Sequence, residues 1–138
     1  LRGSLGLMPH EEVKDVERQL LEQIRRTAES DAWLREHPPV VEFKEVGADG
    51  AEIPVAHPIV QTLARAHTAV TRQAPVFSGR TGGADTRYLI KHGKTPTVIF
   101  GPGLTAEMHA VNESVPVSNL VVATKVVALS IAEWCGGA

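Results

Sequence analysis

From Val13 onward, Val16, Leu20, Leu21, Ile24 and Ala28 follow at spacings of 3, 4, 1, 3 and 4, which is one apolar face of a helix. Glu11 and Glu12 stand at its start and Arg25 and Arg26 near its end, so the charges complement the helix dipole. Asp31 to Pro39 should break the helix near Ser30, because a Pro38-Pro39 pair cannot continue it. Val40 to Glu45 then alternates as a short strand and closes in the turn-rich Gly47-Ala48-Asp49-Gly50. Leu5 and Leu7, before Pro9, read as the tail of an earlier strand. Residues 1–56 are therefore expected to form β-α-β, half of a small α+β domain.

A second unit should begin at Pro58, a favourable first-turn residue, with Ile59, Val60, Leu63, His67 and Val70 on one helical face. Pro75 to Phe77 reads as a short strand, and Arg80 to Asp85 as a glycine turn entering a short helix over Arg87 to Lys91. Thr95 to Phe100 is apolar and rich in β-branched residues, as expected of a strand buried on both faces. Gly101-Pro102-Gly103 forces a turn. Ser118 is a plausible N-cap for a last helix with the face Leu120, Val121, Thr124, Val127, Ala128, Ile131 and Trp134, stopped by Gly136. Strand, helix, strand, helix implies a right-handed crossover and a parallel pair.

The chain has 138 residues and a formal net charge of −2, enough for one ordinary domain or two small ones. Its single cysteine, Cys135, excludes an internal disulfide and a multi-cysteine zinc site, so a cytoplasmic setting is expected. Lysine and arginine form no stripe, which argues against nucleic acid or anionic lipid as a partner. The longest apolar stretches, such as Val121 to Ile131 interrupted by Thr124, Lys125 and Ser130, fall short of the roughly 18 residues of a membrane span, so a soluble chain without membrane contact is expected. Leu1-Arg2-Gly3-Ser4 carries neither an initiator Met nor a cleavage signature, and the sequence is expected to begin in mid-protein.

Candidate chemistry is concentrated between Thr81 and Glu113. Both glycine turns follow a predicted strand, where ligands of open α/β sheets sit. Bare N–H groups in Thr81-Gly82-Gly83 suit an anionic or carboxylate group, although the glycines would also serve simply to supply positive φ. His109 lies in a polar loop between Gly103 and Pro116, where an imidazole can face a crevice; one histidine is not a metal site. The other five histidines show no ligand spacing. Ser78 lacks the glycines of a nucleophile elbow, and Cys135 has no basic neighbour in sequence.

Three ordered runs carry more information than any one of these residues: Gly82-Gly83-Ala84-Asp85-Thr86-Arg87-Tyr88-Leu89, Pro96-Thr97-Val98-Ile99-Phe100-Gly101-Pro102-Gly103, and His109-Ala110-Val111-Asn112-Glu113. Together they resemble the C-terminal part of the acetylornithine deacetylase and succinyl-diaminopimelate desuccinylase family, which includes zinc carboxypeptidases and aminoacylases. Asp31 to Pro39 and Ala132 to Gly136 resemble the deacetylase branch, so the likeness covers nearly the whole chain.

The resemblance implies an α/β fold: residues 57–138 as part of a mixed, mainly parallel sheet with flanking helices, and residues 1–56 as the second half of a lid or dimerisation domain. It implies amide hydrolysis of N-acyl amino acids or small peptides, with two zinc ions (cobalt or manganese as substitutes) and a homodimer formed through the lid. His109 is implied as a metal ligand, with Thr81, Gly82, Gly83 and Gly103 lining the substrate side. The family arginine of the lid strand aligns with Gly6, and Arg2 is the nearest candidate for that role. The remaining metal ligands would come from the N-terminal part of the catalytic domain, so this chain alone is expected to be inactive. A competing expectation, from a different class, is a non-catalytic α/β module that binds an anion or partner through its glycine turns.

Overall fold

The computed structural model describes residues 2–44, 49–80 and 82–136. They form five α-helices, α1 (Val13–Ser30), α2 (Ala32–Glu36), α3 (Pro58–Thr71), α4 (Thr86–Lys91) and α5 (Val117–Cys135), with a 3-10 turn at Thr105–Glu107 between α4 and α5. The chain divides into two units, one of Leu1–Glu52 with Thr81–Arg87 and one of Ile53–Arg80 with Tyr88–Ala138.

In the first unit α1 is the helix that the apolar spacing predicts. Ala28 is buried, Val13, Val16, Leu20 and Ile24 are half-buried, and Leu21 is exposed. Its arginines do not stand in the last turn as expected. Arg25 pairs with Glu29 at 2.6 Å and Arg26 with Glu22, both one turn away along the exposed face. The expected break after Ser30 is interrupted by α2. The Asp31 carboxylate accepts from the Leu34 N–H at 2.9 Å and so starts a new helix at once. The two prolines stop that helix at His37, whose N–H donates to the Trp33 carbonyl and whose ring stacks on Trp33 at 4.5 Å. Leu21, Ile24, Ala28, Leu34, Pro38, Pro39 and Val41 line a groove of about 340 Å³. Gly50 sits against the Met8-Pro9 backbone, where a Cβ would come within 2.7 Å of the Pro9 Cα, so no larger residue fits.

In the second unit α3 begins at Pro58, with the His57 Nδ1 accepting from the Ile59 N–H at 3.3 Å. It packs against α5, burying Val60, Thr62 and Ala66 on one side and Ala123, Val126 and Ser130 on the other. Small residues at 66, 123 and 130 let the two backbones approach, and Val126, 0% exposed, fills the remaining space. Ser130 is satisfied inside its own helix by donating to the Val126 carbonyl at 2.8 Å. At the rim, Arg65 donates to Glu133 and, at 3.0 Å, to the Thr62 hydroxyl. The buried face of α5 is therefore not the predicted one: Leu120, Val121, Val127, Ile131 and Trp134 are exposed. A helix apolar nearly all round leaves the choice of face to the partner, and α3 selects the small residues.

The expected sheet is absent among the described residues. Val40 to Lys44, Pro75 to Phe77 and Thr95 to Phe100 have no ladder partner, and Val40 and Val76 are 88% and 92% exposed. The mixed parallel sheet with its crossover and the β-α-β lid half are thus corrected to helices joined by extended segments. Alternation and β-branching report what one segment prefers locally, whereas a strand exists only when a neighbour closes its N–H···O=C ladder. Near Thr95 the hydrogen bonds are local instead, with Thr97 Oγ1 donating to the Thr95 carbonyl at 2.8 Å. The expected turn at 47–50 lies partly outside the described residues.

α5 is also long and apolar enough, by length and composition, to cross a membrane. The apolar stretch Val121 to Ile131 understates it, because the helix runs on to Val117 on one side and Cys135 on the other. Core helices of soluble proteins pass the same test. Cys135 ends α5 with an exposed thiol, and Gly136 follows at φ 77°.

Candidate functional site

Loop 101–113 carries the candidate imidazole. It is anchored to the first turn of α5, where the Asn119 side chain donates to the Pro102 carbonyl at 3.1 Å. The 3-10 turn follows, and the Ala110 N–H donates to the Glu107 carbonyl at 3.1 Å. His109 is exposed with φ 61°, and its backbone N–H donates to Glu113 Oε2 at 3.1 Å. The Glu113 N–H in turn donates to the Ala110 carbonyl at 3.2 Å, and Asn112 has φ 65°. Two left-handed residues within four positions reverse the chain tightly. Such a conformation costs a non-glycine residue roughly 1–3 kcal/mol and persists only where surrounding bonds impose it, commonly at functional sites. Asn and His bear it more easily than most residues.

The remaining histidines are mostly used locally. His57 caps α3, His37 closes α2 and stacks on Trp33, His67 bonds the Gln73 carbonyl from α3, and His92 stacks on Tyr88. His109 differs in having its backbone held and its ring on an exposed loop. Gly103 shares that loop, and a Cβ there would meet nothing within 4 Å. Gly83 is exposed, and its Cβ would approach Arg87 Nη1 at 3.2 Å. Gly83 does not have positive φ, so the reading in which it simply supplies positive φ to the turn does not hold for it. Arg2 and Gly82 are exposed, and Thr81 lies outside the described residues. Arg2, Gly82 and Gly83 belong to the first unit, Gly103 and His109 to the second.

Among the described residues no three His, Cys, Asp or Glu side chains converge to hold a metal. The His109 ring stands on an exposed loop, where an imidazole can serve a metal as one donor, and the described residues supply no complete set with it. Sequence reasoning passed over Glu113 and Asn112 as parts of the site. The available signal was an asparagine, tolerant of left-handed backbone, followed by a carboxylate four residues after the histidine.

The profile of peptidase family M20/M25/M40 matches residues 6–133, from the N-terminal segment to the last turn of α5. The chain belongs to that family. The motif resemblance thus led to the right one, a generally metal-dependent family of hydrolases. The M20-family chain is 32% identical over 135 residues to the N-formyl-4-amino-5-aminomethyl-2-methylpyrimidine deformylase of Halalkalibacterium halodurans. It is 33% identical over 137 residues to the deformylase of the same name from Bacillus subtilis. Each alignment takes in 92% of this chain, which spans 31% and 32% of the two relatives' lengths. No solved structure matches the M20-family chain.

Proposed function

We propose that this chain takes part in hydrolysis of a small amide, with a formamide on an aminomethyl-pyrimidine as the first candidate substrate and N-acyl amino acids or short peptides as the second. The family match running through the His109 loop carries this reading, and the deformylase names of the two relatives favour the formyl group. Water adds to the formyl carbon, the C–N bond breaks, and the nitrogen takes a proton, giving formate and a free amine. His109 would hold zinc, which in such enzymes polarises the carbonyl and lowers the pKa of water. The exposed loop leaves the ring accessible, and Gly103 leaves the adjoining backbone uncovered.

The test is a panel of N-formyl, N-acetyl and N-succinyl amines, including the formylated aminomethyl-pyrimidine, offered to the intact protein with zinc, cobalt or manganese. Release of formate and amine that stops on chelation and resumes with metal is the expected result. Failure to cleave any compound, together with metal-independent binding of carboxylate or phosphate, would replace this reading with that of an anion-binding module.

A further inference from the structure

We infer that Glu113 is a positioning residue for His109, holding the imidazole in place through the backbone and not through the ring. The inference rests on the amide-hydrolase reading and adds a residue to it. Its basis is a closed circuit: the His109 N–H donates to Glu113 Oε2 at 3.1 Å, and the Glu113 N–H returns to the Ala110 carbonyl at 3.2 Å. Inside that circuit His109 has φ 61° and Asn112 φ 65°, conformations an open loop has no reason to keep. The enclosed residues gain nothing from burial, since His109 and Ala110 are exposed and Val111 is 93% exposed. With no burial to hold them, the Glu113 carboxylate is the side chain that ties down the His109 backbone. A left-handed φ at position 109 sets the Cα–Cβ direction, so releasing the N–H lets the ring swing away from any fixed target.

An acceptor oxygen suffices for this role, and a negative charge is not needed. In the intact protein, Glu113→Ala should lower kcat about 10- to 100-fold, the usual loss when a partner that orients a ligand is removed, with KM changed less than about threefold. Hydrogen exchange of the peptide covering residues 105–115 should be faster. Glu113→Gln keeps an oxygen for the N–H and should recover most of the kcat and the exchange protection. Wild-type kcat and exchange in Glu113→Ala would overturn the inference, and so would equal losses in the Ala and Gln variants, because the charge would then be the active feature. Failure of the intact wild-type protein to cleave any of the amides would instead overturn the amide-hydrolase reading, whatever Glu113 does, and full activity in His109→Ala would remove the role of His109 on which the inference rests.

Discussion

The α3–α5 pair and the loop that leads into α5 belong to the same unit and are held by opposite means. Between the helices the contact is apolar and non-directional, built from Ala66, Ala123 and Val126 with Ser130 satisfied internally. The loop buries almost nothing and keeps its shape through a few directed bonds, Asn119 to Pro102 and Glu113 to His109, around two left-handed residues. The difference separates two kinds of sensitivity. Volume changes should damage stability in the pair, whereas geometry changes should damage function in the loop.

The largest expected effect tests the loop. His109→Ala in the intact protein should cut turnover about a thousandfold or more, several kcal/mol of lost carbonyl polarisation, while the melting temperature stays within a degree or two. A large fall in melting temperature would show that the loop is structural after all. Next comes the helix pair. Val126→Ala should destabilise by about 2 kcal/mol, since it removes two methyl groups from a fully buried site, with kcat of the remaining folded protein unchanged. Denaturant titration beside active-site counting separates the two.

Asn112→Val should cost about 1 kcal/mol, because a β-branched residue resists φ near 65°, whereas Asn112→Gly should be nearly neutral. Comparable stability of the two variants would argue against the left-handed geometry. The smallest effect belongs to the rim of the pair. A double-mutant cycle on Arg65 and Glu133, both partly exposed, should return about 0.2–1 kcal/mol of coupling that fades with salt.

Helices were legible in the sequence because their signal is local. The period from Val13 to Ala28, Pro58 at the start of α3 and Gly136 after α5 mark real elements. What failed depends on partners far away in sequence. Thr95 to Phe100 reads as a buried strand, yet nothing among the described residues pairs with it. The wrong face of α5 was favoured for the same reason: Leu120, Ile131 and Trp134 outweigh Ala123 and Ser130 in hydrophobicity, but close approach to α3 rewards small size. At the candidate site the histidine could be singled out from its motif. Glu113 stands in the same motif, but residue type alone does not say that its carboxylate grips the His109 backbone.

Cys135 offers a practical handle on all of this. With its sulfur accessible at the end of α5 and no second thiol in these 138 residues, a maleimide dye would attach at one defined point. The indole of the preceding Trp134 would lie close enough to quench many such dyes, so fraying of the terminal turn would register as a change in brightness.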